Sequence, residues 1–300
     1  MELRALRYFA ETVRLQSFTR AAEVLCVTQS AVSKLVRQLE VDLGQPLLHR
    51  DARQLRLTDA GQLVYAHAQE ALAVVARMDR ALHDLSDLQQ GELTLGLPPM
   101  VNIFFPKLIQ SFRQRHPGLS VALHEAGGQV IEAQVMRGEL EVGVTAQVPQ
   151  PGQGLAHHVI ERHPICLVGR PDSPWATQAQ PDLHCLDGQP VLMLAEDYAV
   201  SRMLEQAFAA AGVAPQVVAR SGQWDFLLSM ALSGMGTALL PEPLLERQKL
   251  PVRAAYKALP PDGPTWDVAL IWSTERYLSH AARAWLRHCG VRDLDTPTRP

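Results

Sequence analysis

The sequence has no run of 18 apolar residues and no C-x-x-C pair among its four cysteines. Without a long apolar run, neither a transmembrane helix nor a secretory signal is predicted, and the charges within the first 15 residues agree with this. Scattered cysteines are typical of reduced thiols in a reducing compartment and do not predict a zinc site. We therefore expect a cytoplasmic protein that does not contact a membrane.

Motifs that carry catalysis or bind metals are also missing. The chain has no G-x-S-x-G elbow, no phosphate-binding loop and no H-E-x-x-H pair. His157, His158 and His163 cluster in sequence, but no carboxylates are spaced to complete a metal site with them. We therefore expect neither an enzyme nor a bound metal ion or other cofactor.

The overall composition is that of a folded protein with several domains. Of 300 residues, 47% are hydrophobic and 20% charged, and the formal net charge is -3. This length predicts two or three folding units. A nearly neutral chain does not bind nucleic acid through its total charge, so any such binding needs a local basic surface.

Residues 1–57 show helical periodicity and form the first predicted unit. A first helix ends near Gln16, and Ser17 caps a short second helix. After a tight turn, a longer third helix runs from about Gln29 to Leu43. Two helices joined by such a turn predict a helix-turn-helix.

The third helix has a polar face opposite its apolar one. Amides and hydroxyls can bond base edges, and cationic groups can read guanine or neutralise phosphates. A hairpin-like wing rich in arginine follows. The candidate DNA-binding residues are Gln29, Ser30, Ser33, Lys34 and Arg37 on the helix and Arg50, Arg53 and Arg56 in the wing. Composition alone leaves a second interpretation open, a helical bundle with a solvated polar face.

The stretch LRYFAETVRLQSFTRAAEVLCVTQSAVSKLVRQLEVDLGQPLLHRDARQLRLTDAG resembles the LysR-type transcriptional regulators without a gap. The resemblance implies a winged helix-turn-helix whose recognition helix starts at Thr28 and Gln29. It also places Ser33, Lys34 and Arg53 where the family usually touches bases. Ser30 stands where the family usually has proline, and Lys34 where it often has arginine, which puts bidentate guanine reading in doubt there.

After Thr58, apolar and small residues recur at alternating spacings of four and three. This spacing predicts a coiled-coil seam, although a single amphipathic core helix remains an alternative. The seam residues are Val64, Ala68, Ala71, Val75, Met78, Leu82 and Leu85. The resemblance implies that residues 58–91 form a linker helix that pairs two subunits on a roughly palindromic DNA site. It further suggests a homotetramer built as a dimer of dimers, and a possible contact with RNA polymerase.

Residues 92–300 alternate short apolar strands with helices, which predicts an α/β domain with a mainly parallel sheet. The resemblance implies two lobes, like a periplasmic solute-binding protein. Lobe one covers about 92–162 and 266–300, and lobe two about 163–265. The complete fold class is thus α plus α/β: a winged helix-turn-helix, a long linker helix and a two-lobed effector-binding domain.

A small-molecule effector is expected at the carboxyl ends of the strands, where the following helices begin and present unpaired N–H groups. The alternative is that the prolines and glycines at these helix starts only make turns. The candidate effector-binding residues are Pro99, Met100, Val101, Asn102, Gly127, Gly128, Gln129, Thr145, Tyr198, Ser201, Arg202, Gln223 and Trp224.

Several strings in this domain, such as GLPPMVNIFFP, resemble regulators that respond to acetate and related overflow metabolites. Because helix N-termini favour negative charge, we expect a small carboxylate or another anion. Two other functions stay open. The first is a thiol redox sensor that uses Cys166 and Cys185, and the second is an enzyme of the same two-lobed architecture.

Overall fold

The computed structural model describes residues 2–49, 55–86, 91–149, 152, 154–246, 254–292 and 294. The chain divides into two compact units. One unit is Met1–Leu88 with Arg137–Glu139, and the other is Gln89–Met136 with Leu140–Pro300. Within the described ranges, no helix is long and apolar enough to cross a membrane.

Three helices open the first unit: α1 (Leu3–Leu15), α2 (Phe18–Val24) and α3 (Gln29–Leu43). Local caps set their starts. Ser17 Oγ accepts the Arg20 N–H at 3.3 Å, and Thr28 Oγ1 accepts the Ala31 N–H at 3.3 Å. Each bond satisfies an N–H group that has no partner within its helix. The sequence pattern predicted the Ser17 cap and all three helices, and the Thr28 cap is added by the structure.

A two-stranded hairpin, β1 (Leu48–His49) with β2 (Arg56–Leu57), follows α3. Glu40, buried on α3, anchors its first strand because Oε1 accepts the N–H of Leu47 at 2.9 Å and of Leu48 at 3.3 Å. The long helix α4 (Asp59–Ser86) starts directly afterwards. A methyl group on Gly61 would lie 2.0 Å from the Leu47 carbonyl oxygen, so α4 approaches the hairpin too closely for any other residue.

The apolar residues of α4 fall into two groups. Val64 and Ala68 pack into the core of the helix-turn-helix, and Ala68 is only 1% exposed. Met78 and Leu82, further along the helix, are 55% and 54% exposed. The predicted seam therefore serves two purposes: its first residues join the unit's own core, and its later ones present an apolar surface.

The second unit contains a nine-stranded sheet flanked by helices. Its strands are β3 (Gly91–Leu97), β4 (Leu119–Glu125), β5 (Val142–Thr145), β6 (Leu155–Gly169), β7 (Pro190–Leu194), β8 (Gln216–Ser221), β9 (Thr237–Pro241), β10 (Ala255–Ala258) and β11 (Thr265–Ser273). Its helices are α5 (Phe105–Arg115), α6 (Gly128–Arg137), α7 (Ala199–Ala211), α8 (Trp224–Leu232), α9 (Glu242–Glu246) and α10 (His280–His288), with short 3-10 turns at Val101–Ile103 and Leu183–Leu186.

The strand order is β4-β3-β5-β11-β6-β9-β7-β8, with β10 also paired to β6. Parallel pairing holds within each half, where β3 joins β4 and β5, and β7 joins β8 and β9. The long strands β6 and β11 pair antiparallel with all of their neighbours. The prediction of a mainly parallel sheet is therefore wrong, because strands that carry the chain between the halves cannot follow the β-α-β rule that operates inside each half.

The two halves of the sheet point their carboxyl ends toward each other. Strand β6 runs from the first half into the second; β3, β4 and β5 run in its direction, and β7, β8 and β9 run against it. Along β6, the end of β5 aligns with Val159 and the end of β9 with Ile165. These positions are six residues apart, about 20 Å along a strand. A crevice between the halves is thus bordered by the carboxyl ends of both sets of strands.

Helices cover both faces of the first half of the sheet. Phe105 and Phe112 of α5 pack on Trp285 of α10, with ring centroids 6.3 and 5.1 Å from the indole. On the opposite face, Ile131 of α6 joins a smaller cluster that includes Ile271 of β11. Burying such side chains stabilises the fold by about 1.5–3 kcal/mol each, and it fixes where α5 and α6 begin.

Candidate functional site

The polar face of α3 is exposed along its whole length. Every third or fourth residue on the opposite side, Val32, Val36 and Leu39, is buried with at most 2% exposure. This packing fixes the helix and directs the other face to solvent. The exposed candidates on α3 are Gln29, Ser30, Ser33, Lys34 and Arg37.

The wing is described only in part. Arg50 and Arg53 lie outside the described residues, while Arg56 is exposed on β2 directly across from His49 on β1. At the start of α3, Thr28 Oγ1 is 3.0 Å from Ser30 Oγ while it caps the helix. Of the candidates in this unit, Thr28 thus has a structural role of its own.

A cavity of about 400 Å³ lies between α3 and the hairpin. Ser33 and Arg37 line it from α3, Ser17 from the start of α2, and His49 from β1. Sequence reasoning missed Ser17 and His49 as site residues, because only the packing of α2 and of the hairpin around α3 brings them beside its polar face. Their shared polar lining extends the candidate surface from the helix toward the wing.

In the second unit, the four predicted helix starts are present. The first follows β3 as the 3-10 turn Val101–Ile103, the second is the start of α6 at Gly128, and the others are the starts of α7 and α8. The ends of β3 and β4 are neighbours, as are those of β7 and β8, because Leu97 pairs with Glu125 and Leu194 with Ser221. Each half therefore brings two helix starts together at the crevice.

Where the first half of the sheet borders the crevice, fewer of the predicted side chains are exposed than expected. Met100, with a φ of 78°, is 6% exposed, and Val101 is fully buried, so both side chains belong to the core. The side chain of Asn102 lies outside the described residues. Pro99 and Gln129 are exposed at this edge.

Gly127 and Gly128 keep the backbone of this edge accessible. A methyl group on either one would meet no atom within 4 Å. An incoming group can therefore approach the peptide N–H groups at the start of α6.

Thr145, at the end of β5, is buried and its hydroxyl is engaged. Its Oγ1 lies 2.8 Å from Glu132 Oε1 and 2.9 Å from the Gln147 carbonyl oxygen. These contacts hold the loop after β5 against α6. The expectation that Thr145 presents its side chain to an effector is not met in this conformation.

Ser201 is likewise turned inward. It is fully buried; its hydroxyl donates to the Leu194 carbonyl oxygen and accepts from Arg220 Nη1, both at 2.9 Å.

Arg202, expected to supply positive charge, donates from Nη1 to the carbonyl oxygens of Asp197 at 2.9 Å and Glu196 at 3.4 Å. Both predicted side chains are thus engaged by their own loop.

Arg220 is the charged residue of this edge that sequence reasoning missed. Besides Ser201, it binds Glu205 Oε1 through Nη2 at 2.6 Å, and its Nε is 3.6 Å from Glu196 Oε1. The sequence feature that could have identified Arg220 is its position, one residue before the carboxyl end of β8. Arg220 joins β8 to α7 and carries the positive charge closest to Ser201.

Two aromatic residues mark the starts of α7 and α8. Tyr198 donates from its hydroxyl to the Gly222 carbonyl oxygen at 2.9 Å, which ties the two loops together, and burial together with the nearby Asp197 raises the pKa of the phenol. Trp224 is half-buried at the first residue of α8, and Gln223 beside it is exposed. Of the predicted residues in this half, Gln223 is thus exposed, whereas Trp224, Tyr198 and Arg202 are partly accessible.

Where the chain crosses between the halves, three aromatic rings form a cluster that was not predicted. Phe104 stacks on His163 with ring centroids 5.3 Å apart and planes 9° apart, and it also packs on Trp266 at 5.6 Å. Only the pairing of β6 with β11 brings His163 and Trp266 together.

The surroundings of the two cysteines considered for a redox switch favour the protonated thiol. Cys166 is fully buried, and its burial with nearby Glu242 and Glu246 raises the thiol pKa to about 12. Burial and Asp182 raise the pKa of Cys185, whose Sγ also donates to the Asp182 carbonyl oxygen. Reactive thiols need a lowered pKa, so neither cysteine has the setting of a redox sensor. Among the described residues, no three His, Cys, Asp or Glu side chains are grouped to hold a metal ion.

Comparison with known families covers nearly all of the chain. Residues 3–62 match the bacterial regulatory helix-turn-helix protein family, lysR type, and residues 86–292 match the LysR substrate binding domain. This chain belongs to the LysR family. It is a DNA-binding transcriptional regulator with an effector-binding domain.

Relatives of this LysR-family regulator support the assignment over most of its length. The HTH-type transcriptional regulator YwbI of Bacillus subtilis is 34% identical, over 96% of this chain and 95% of the relative. The nitrogen assimilation regulatory protein nac of Escherichia coli is 31% identical over 81% of this chain and 79% of its own.

Solved structures of LysR-family proteins share the fold. Full-length CbnR in complex with its target DNA has a TM-score of 0.68 at 19% identity, covering 96% of this chain and 99% of CbnR. Full-length OxyR from Pseudomonas aeruginosa has the same TM-score at 20% identity, covering 98% and 96%. These likenesses establish the winged helix-turn-helix and two-lobed architecture.

Proposed function

We propose that this LysR-family regulator reads its DNA site with the exposed face of α3. Gln29, Ser30, Ser33 and Lys34 contact base edges, and Arg37, with the arginines of the wing, neutralises phosphates. The observation that carries this proposal is the polar face itself, which is fully exposed while Val32, Val36 and Leu39 lock the opposite face into the core.

Fluorescence anisotropy tests the proposal with two DNA duplexes of equal length. One carries the intergenic DNA beside the regulator's own gene, where such regulators commonly have their target, and the other a scrambled copy. We expect binding to the first to be at least about 10³-fold tighter at the same salt concentration. Equal affinity for both duplexes contradicts a specific regulator of that site.

For the assembly, we propose a homodimer paired through the helix of residues 58–91, with a further dimer of dimers. The half-buried Val75 and the exposed Met78 and Leu82 supply the apolar contact on α4. A two-fold dimer presents two copies of α3 to a roughly palindromic site. A contact with RNA polymerase and a location in the cytoplasm are part of the same proposal.

For regulation, we propose that a small carboxylate binds in the crevice between the two halves of the sheet. Helix starts converge on it from both halves, and their N–H groups and dipoles favour an anion by about 0.3–1 kcal/mol each. Because Ser201 and Thr145 point inward, backbone N–H groups carry more of the binding than the sequence suggested. Binding alters transcription only if the effector prefers one of two assembly states.

A further inference from the structure

Two ring nitrogens where the chain crosses between the halves have no hydrogen-bond partner within the described part of the chain. They are Nε1 of Trp266 on β11 and Nε2 of His163 on β6. Trp266 is fully buried. Glu161 Oε2 lies 3.5 Å from His163 Nε2, but the contact lacks hydrogen-bond geometry. Buried polar groups in proteins are almost always paired, so two neighbouring exceptions indicate a site that takes a partner.

Both residues lie where β6 and β11 pass between the two halves of the sheet. They are cross-strand neighbours in the antiparallel register of β6 and β11, so their side chains share a face of the sheet. His163 falls between the positions on β6 that align with the ends of β5 and β9. Phe104, which stacks on His163, comes directly after the turn Val101–Ile103, so the cluster adjoins one of the four helix starts.

The chemistry of the two nitrogens limits what can bind them. An indole N–H only donates, so the partner of Trp266 must be an acceptor. An imidazole Nε2 donates to the same acceptor when it carries the proton. We propose that the effector, whose existence rests on the proposed function, places a carboxylate oxygen between Trp266 Nε1 and His163 Nε2. The two nitrogens then select for an acceptor oxygen and against an ammonium group.

This assignment predicts that the unliganded protein is less stable than a variant in which the unpaired nitrogens are replaced by apolar atoms. Leaving a buried polar group unpaired costs free energy, a cost that proteins accept at functional sites. His163→Phe keeps a ring for stacking on Phe104 and removes both nitrogens. We expect the variant, without ligand, to melt about 2–4 °C above wild type.

Gln134→Met is the matched control for this measurement. Gln134 Oε1 is also buried without a partner, but the residue lies near the far end of α6, away from the crevice. Replacing it should raise the melting temperature in the same way and leave ligand binding unchanged. A His163→Phe variant that melts below wild type contradicts the assignment.

The ligand measurement uses acetate and benzoate as probes and the amines of matching shape, ethylamine and benzylamine, as controls. We expect each carboxylate, and neither amine, to raise the melting temperature of wild type and of Gln134→Met. In His163→Phe and Trp266→Phe, the apparent affinity for the carboxylates should fall at least about tenfold.

Retention of the wild-type response by His163→Phe overturns the inference, as does stabilisation of wild type by the amines. A wild type that ignores both carboxylates also overturns it. If that protein still binds its DNA specifically, the proposed DNA-binding function stands, and the proposed carboxylate effector is lost together with the inference about the crossing. If wild type responds to the carboxylates and His163→Phe responds equally, the proposed effector stands and only the inference about the crossing is lost.

Discussion

The guanidinium of Arg220 donates a 2.9 Å hydrogen bond from Nη1 to Oγ of the fully buried Ser201. The same hydroxyl donates to the Leu194 carbonyl oxygen, so one serine connects β7, β8 and α7. Ser201 therefore maintains the wall of the crevice, whereas its position at a helix start had suggested direct contact with an effector.

Ser201→Ala should destabilise the protein and leave effector affinity nearly unchanged. The substitution removes both hydrogen bonds of the buried hydroxyl and leaves Arg220 Nη1 and the Leu194 carbonyl oxygen only the longer bond between them, 3.4 Å, which costs about 1–3 kcal/mol. Urea denaturation measures this cost, and calorimetry with the carboxylate probes measures the affinity. Ser229→Ala is the control, because that hydroxyl is exposed and bonds only within α8. If the Ser201→Ala variant instead has normal stability and a lower affinity for the carboxylates, Ser201 contacts the effector directly.

Gln29→Ala should weaken binding to the specific DNA site by about 1–3 kcal/mol and barely change binding to random DNA. The exposed amide at the first residue of α3 can pair with a base edge, and alanine cannot. Anisotropy titrations on both duplexes measure the two affinities. Equal losses on both would show that Gln29 does not read sequence.

Arg56→Ala provides the opposite pattern. Arg56 is an exposed cation on β2, and if it contacts phosphate as we propose, it should contribute to all duplexes alike. Its removal should lower the salt dependence of binding by about one unit of slope. An unchanged slope would place Arg56 away from the DNA.

Val75→Asp should disrupt the dimer, because a carboxylate buried without a partner in an apolar interface costs several kcal/mol. The adjacent Val74→Asp is the matched control, since Val74 is 54% exposed and lies off the predicted seam. Sedimentation at micromolar concentration distinguishes monomer from dimer. If both variants assemble like wild type, α4 does not form the interface.

Cys166 should resist alkylation in the native protein at pH 8, whereas the exposed Cys26 should react. Its pKa of about 12 leaves almost no thiolate at that pH. Because the folded-state pKa lies above the ordinary thiol value of 9.0, this thiol contributes stability below pH 9 that is lost as the pH rises toward 12. Mass spectrometry after iodoacetamide treatment measures the reaction. Rapid modification of Cys166 would support the alternative that this protein is a thiol redox sensor.

The sequence by itself determined the helices of the DNA-binding unit of this protein. Ser17 and Thr28 each cap a helix through the N–H three residues further on, and the apolar residues of α3 recur at helical spacing. Such local interactions can be read from a linear pattern. The starts of α6, α7 and α8 followed similarly from turn residues after apolar strands.

Only the tertiary structure decided which side chains face the crevice. Arg220 reaches Ser201 from a different strand, and His163 meets Trp266 through the antiparallel register of β6 and β11. The antiparallel course of these two strands, which contradicted the predicted sheet, also brings the carboxyl ends of both halves together. Contacts between distant segments depend on strand order and direction, and no local spacing in the sequence records either one.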